Sequence, residues 1–371
     1  MCGGALSSQC HPQVTALQLF FLKELHVRLS LLSKSLLMSG LLLAAFAASA
    51  QKTQLLVYTA LETDQIKAYQ EGFNKVNPDI EIKWVRDSTG VVTAKLLAEK
   101  ANPQADVVMG VAASSLALLD KQGMLEPYAP LNLDAIMSQY RDKKKVPAWW
   151  GMDVWGATVC FNTVEAQKKN IPKPETWQDL TKPVYKGQVV MPNPASSGTG
   201  YFDVVAWLTL FGDKDGKGGG WKYMDGLHDN IAQYTHSGSK PCNMAASGEF
   251  VVGISFEYRG NANKAKGAPI DLVFPKEGLG WDLEAFAIHK GTKKLDAAKK
   301  LADWASSKDA MLLYGKNFAI TAQPGVAAPL ANVPKDYESR LVKLDFNYAA
   351  EQRERILNEW TKRYNSKTEK R

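Results

Sequence analysis

The chain has 371 residues, 45% of them hydrophobic and 22% charged. That balance excludes a disordered or fibrous protein and suits two ordinary domains. The formal charge is +7, but the 45 basic residues are scattered, whereas a nucleic-acid binder gathers them on one element with interleaved aromatics.

Residues 34–50 read KSLLMSGLLLAAFAASA. Arg28 and Lys34 form a positive start, Leu36 to Ala47 an apolar stretch, and Ala48-Ser49-Ala50 a small-x-small cleavage site. These are the three parts of a secretory signal peptide. Cleavage after Ala50 predicts a periplasmic chain starting at Gln51. As a membrane anchor the stretch is short for a ~30 Å hydrocarbon core. Residues 1–27 exceed what an export signal needs. Of four cysteines, Cys2 and Cys10 fall in the discarded segment. Cys160 and Cys242 remain, either bridged, as an oxidising compartment permits, or buried as separate thiols.

The remaining chain alternates between two periodicities. QLLVYT at 54–59 reads as a strand, and Ile66, Tyr69, Phe73 and Val76 follow at helical spacing up to Asn77-Pro78. A strand at 80–85, a helix through Leu96 and Leu97, a strand at 105–109 and a helix at 114–122 complete a first block. A second block has strands at 155–162 and 188–191 and a helix at 199–211. A charged glycine loop at 212–220 precedes strands at 231–234, 251–256, 270–274 and 283–288. Helices at 295–306 and 350–364 close the chain. The order implies an α/β protein of two lobes, linked near 150–157 and 272–280. The expected lobes are 51–154 with 275–325, and 155–274 with 326–371. Ligands of such proteins bind at the carboxyl ends of strands or between lobes.

Four strand-to-helix loops there are rich in small hydroxyl residues: Ser88-Thr89-Gly90, Ala112-Ala113-Ser114-Ser115, Ser196-Ser197-Gly198-Thr199 and Ser237-Gly238-Ser239. A helix start offers unpaired N–H groups and a positive dipole end, which suits a phosphate, phosphonate or carboxylate. Each loop by itself is equally an ordinary cap. Tyr258-Arg259 ends a strand, where the guanidinium meets either an anion or a surface carboxylate. Glu62, Asp282 and Glu284 stand where carboxylates could hold a cation, or serve helix starts and structural pairs. Trp149, Trp150, Trp155 and Trp281 cluster near the two crossings. No G-x-S-x-G elbow is present, and His228, His236 and His289 have no partner acid at a recognisable spacing. The expectation is a binding protein rather than an enzyme, with no cofactor and no resident metal.

The stretches VYTALETDQIKAYQEGFNK, MPNPASSGTGYFDVVAW, GISFEYRGNANKAKGAPIDLVFPKEGLGWDLEAFAI and LDFNYAAEQRERILNEW carry a resemblance. Residues 51–371 resemble the ferric-ion-binding type of ABC-importer solute-binding proteins, and more closely the 2-aminoethylphosphonate-binding proteins. The resemblance implies a two-lobed periplasmic binding protein of the second type, with a cleft between α/β domains joined by hinge strands. It implies a monomeric receptor that hands its ligand to a membrane permease driven by an ATPase. Iron binders of this type carry two adjacent tyrosines where this chain reads Tyr258-Arg259, and a permanent cation there would repel Fe³⁺. Their synergistic phosphate site matches Ser197, Gly198 and Thr199. Several place a metal-binding histidine near position 62, which is Glu here. The resemblance therefore implies a phosphonate on Ser197–Thr199, with Ser88, Thr89, Ser114, Tyr258 and Arg259 as further donors. An ammonium would meet Glu62, Asp282 or Glu284. A ferric or other metal/anion receptor is the alternative within the same class.

Overall fold

The computed structural model describes residues 52–213 and 216–370. The export signal expected at 34–50 lies outside them. Eight strands form the path of one curled mixed sheet. In spatial order they are Ile80–Arg86, Thr53–Thr59, Val107–Ala112, Trp281–His289, Trp150–Asn162, Val252–Phe256, Val189–Pro192 and Ile231–Thr235. The first three are mutually parallel, as are the last three. Between them run two antiparallel strands. The long one, Trp150–Asn162, pairs with Trp281–His289 through its first half and with Val252–Phe256 through its second. Every residue of that strand is buried. Its hydrophobic pattern therefore does not alternate, and the strand extends five residues ahead of the 155–162 expected from the sequence.

Two apolar cores form on the two halves of this sheet. One gathers Val57, Phe73, Val108, Trp150, Phe286 and Leu301. The other gathers Val159, Trp177, Trp207, Ile254 and Trp360. Helix Thr63–Val76 shows how the first is built. Gln65, Tyr69 and Phe73 recur every fourth residue and are buried. Tyr69 meets Tyr314 edge-on at 4.9 Å and Phe73 meets Trp304 at 5.8 Å. Helix Gly198–Phe211 is instead buried on all sides from Gly198 to Leu208 and ends at Gly212, whose φ is 93°. The closing helix Phe346–Tyr364 contributes Ala350 to the first core and Ile356, Trp360 and Tyr364 to the second.

Cys160 and Cys242 are joined by a disulfide, with Cα atoms 5.3 Å apart. They lie in a small cluster with Ala245 and Ile270. The glycine loop expected at 212–220 is shorter than expected, because helix Gly219–Asn230 begins inside it. Among the described residues no helix is long and apolar enough to cross a membrane.

Candidate functional site

The carboxyl ends of the parallel strands from both halves of the sheet converge on one cleft. Its wall carries Glu62, Ser88 and Thr89 from the first half and Ser197, Gly198 and Thr199 from the second. Arg86, Trp155, Gly238, Phe256 and Glu284 also face it. The cleft offers about 40 Å³ to water-sized molecules.

One end is made of two helix starts set against each other. Ser88 precedes helix Thr89–Ala98, and Ser197 precedes Gly198–Phe211. Ser197 Oγ accepts from Gly200 N at 3.4 Å, so it also caps its own helix. Gly90 N donates to Ser196 O at 2.9 Å, tying the two loops together. This approach demands glycine. A Cβ at Gly198 would lie 2.9 Å from Thr89 Oγ1, and one at Gly90 would lie 2.1 Å from Ala195 O. Trp155 Nε1 reaches Thr199 Oγ1 at 3.4 Å. Two dipole ends and several hydroxyls thus point at one small space, an arrangement suited to an anion.

The other end is acidic, and the structure gives its carboxylates different tasks. Glu62 pairs with Arg86 at 3.3 Å and with Arg259 at 3.2 Å. Asp282 is buried away from the cleft wall. It accepts from the backbone N–H of Leu283 at 2.8 Å and of Ser114 at 3.3 Å. Burial pushes its carboxyl up to about 6 against the pull of these donors. Glu284 lines the cleft, its Oε2 is buried, and Asp153 and Gln65 lie within hydrogen-bond reach of its carboxyl.

Of the residues expected from sequence, Glu62, Ser88, Thr89, Ser197, Gly198, Thr199 and Glu284 come together on this wall. Ser114, Tyr258, Arg259 and Asp282 do not. Ser114 is buried at the start of helix Ala113–Lys121, where it serves Asp282. Arg259 lies off this wall, and its Nε is buried with no hydrogen-bond partner among the described residues. Its guanidinium bridges to Glu62 and, at 3.3 Å, to Asp64 across the cleft mouth. Although burial opposes it, Arg259 and Tyr258 hold the Asp64 carboxyl below its ordinary range. Burial, and then Asp64, push the Tyr258 phenol well up. Both Tyr258 and Arg259 belong to the first turn of helix Glu257–Ala265, just past the end of the strand at Phe256 rather than within it. Among the described residues no group of three or more His, Cys, Asp and Glu side chains is arranged to hold a metal ion.

Arg86 and Phe256 on the wall were not anticipated. Arg86 donates through Nε to Leu61 O at 2.6 Å as well as pairing with Glu62. The signal was present, since Arg86 ends a strand two residues before Ser88.

Two half-sheets joined by crossing strands, with a polar cleft at their carboxyl ends, define a two-lobed periplasmic binding-protein fold. The sequence profile described as bacterial extracellular solute-binding protein matches residues 102–352. The chain belongs to that family. It is 32% identical over 337 residues to an uncharacterized protein of Haemophilus influenzae, covering 88% of this chain and 95% of the other. It is 29% identical over 282 residues to the probable ABC transporter periplasmic-binding protein y4fP of Sinorhizobium fredii, covering 71% and 76%. The structure of the periplasmic binding protein AfuA from Actinobacillus pleuropneumoniae, with exogenous fructose-6-phosphate bound, superposes with a TM-score of 0.78. That match has 31% identity and covers 85% of this chain and 99% of AfuA.

Proposed function

We propose that this chain is the periplasmic receptor of an ABC importer for a small phosphonate or phosphate ester, and that 2-aminoethylphosphonate suits the cleft best. The observation that carries the reading is the two-ended cleft. Paired helix starts with Ser88, Thr89, Ser197 and Thr199 suit the oxyanion. Glu284 on the same wall, to which no cation of the described residues is paired, suits an ammonium. Asp282 and Glu62 are already engaged by backbone N–H groups and by two arginines. That leaves Glu284 as the carboxylate for the ammonium.

The likeness to y4fP supports the importer class, and the likeness to AfuA supports a phosphoryl-bearing solute. Glu62, Asp64 and Arg259 join the two sides of the mouth, so a ligand that bridges the lobes would favour the closed state. The permease would read that state. Nothing in the cleft favours the ferric reading. Tyr258 is bonded to Asp64 as a phenol, and Arg259 beside it is a permanent cation.

Calorimetry on the exported protein, stripped of bound solute by unfolding and refolding, tests the proposal. The expected order is 2-aminoethylphosphonate ahead of phosphate and fructose 6-phosphate, with no uptake of ferric citrate. Preference for the sugar phosphate would move the chain to a hexose receptor. Binding of iron alone would overturn the phosphonate reading.

A further inference from the structure

At the acidic end of the cleft two carboxyl groups face each other across a strand pair. Glu284 on Trp281–His289 is the register partner of Asp153 on Trp150–Asn162. Partners of this kind project from the same face of a sheet. The register breaks immediately after Glu284, and such bulges re-aim side chains next to sites. Glu284 lines the cleft, while Asp153 lies behind it with 0% exposure. Both Asp153 oxygens and Glu284 Oε2 are buried, and the two carboxyls lie within hydrogen-bond reach of each other, with Gln65 beside Glu284.

Among the described residues, the titratable groups that act on the pair are acids. Glu62 faces it from the start of helix Thr63–Val76, and Glu257 from the start of Glu257–Ala265. Tyr69, Tyr258 and Tyr314 complete the surroundings. The arginines of the region, Arg86 and Arg259, are bonded to Glu62. Two ionised carboxylates set side by side without water or a cation are strongly disfavoured.

We propose that Asp153 and Glu284 act as one proton-holding pair, and that a cationic group of the solute enters beside Glu284 as a proton leaves that pair. This deepens the aminophosphonate reading and rests on it. Burial first, and then the neighbouring carboxylates, push both carboxyls well above their ordinary range. The pair therefore holds its proton while no cation is present. On capture the carboxyl O–H bond breaks and the proton passes to solvent. Ammonium N–H groups then donate to Glu284, and the net charge at this end is unchanged. Asp153 is a positioning residue that does not touch the solute. It sets how readily the proton leaves, and hence the pH at which an amine is preferred over an apolar group.

The test compares 2-aminoethylphosphonate with ethylphosphonate, which lacks the amine, from about pH 5.5 to about pH 8, where an alkyl ammonium stays charged. Affinities are measured by calorimetry on the whole exported protein and on Asp153→Asn. In that variant an amide donates permanently to Glu284 and leaves it ionised. Dividing the native preference for the amine by that of the variant cancels the ligands' own titration. The quotient should rise with pH by up to about tenfold per unit, the limit for one proton exchanged. Glu284→Gln should bind both phosphonates equally at every pH, and its retained ethylphosphonate binding shows that it is folded. Parallel pH courses for the native protein and Asp153→Asn would overturn the proposal. Equal binding of the two phosphonates by the native protein would remove the cation subsite and keep the anion end. Binding of neither would overturn the aminophosphonate reading itself, and this inference with it.

Discussion

The two ends of the cleft are built on opposite plans. The anion end is made of backbone groups and short hydroxyls on two helix starts, locked by close glycine contacts. The acidic end is made of long side chains whose charge depends on their neighbours. A backbone site is fixed as soon as the strands and helices form. A carboxylate site is fixed only when every competing partner has been assigned. Specificity for the part of the solute beyond the oxyanion should therefore reside at the acidic end, and bare anion affinity at the other.

The largest effect on binding is expected where the backbones meet. Gly198→Val places a side chain against Thr89, 2.9 Å from its hydroxyl oxygen at the Cβ. Overpacking of this kind costs about 1–3 kcal/mol of stability and forces the two helix starts apart, which removes the anion end. Every phosphonate and phosphate should lose binding alike by calorimetry, with an unchanged circular dichroism spectrum. Normal affinity in that variant would mean that the two helix starts do not form the anion end.

Arg259→Ala should act more mildly and without regard to the solute. Its guanidinium bridges the mouth to Glu62 and Asp64, and Asp64 is substantially exposed. The expected loss is about 1 kcal/mol, about fivefold, equal for amino and non-amino solutes and smaller at high salt. A loss confined to the oxyanion, seen as normal residual recognition of the amine, would return Arg259 to the anion end. Reducing the Cys160–Cys242 bridge should leave selectivity untouched. It closes a separation of 82 residues, so its removal should cost about 4 kcal/mol of stability, read as a lower denaturant midpoint. A change of ligand preference on reduction would show that the bridge shapes the cleft.

The difference between the two ends also explains what the sequence could reveal. Ser88-Thr89 and Ser197-Gly198-Thr199 are legible because capping residues and glycines at strand-to-helix turns carry their own local signature. Glu62, Asp282 and Glu284 looked alike in the sequence. Only tertiary pairing makes one a clamp for two arginines, one a partner of buried N–H groups and one a wall of the cleft. Asp153 carried no signal at all, because its role depends on register with a strand more than a hundred residues away. Arg259 invited an oxyanion reading because its nearness to Glu62 and Asp64 is a matter of packing between distant elements. Among the helices, Gly219–Asn230 was hidden by its two leading glycines, which read as a loop.

The most direct test of the two-ended cleft is a cycle of two proteins and two solutes. Calorimetry of the native protein and Glu284→Gln with 2-aminoethylphosphonate and ethylphosphonate gives four affinities. The substitution should weaken the aminophosphonate by about 2 kcal/mol, some thirtyfold, because a charge-assisted contact is lost. Ethylphosphonate binding should stay within about threefold of native. Equal losses for both solutes, or no loss for the amine, would contradict a two-ended cleft.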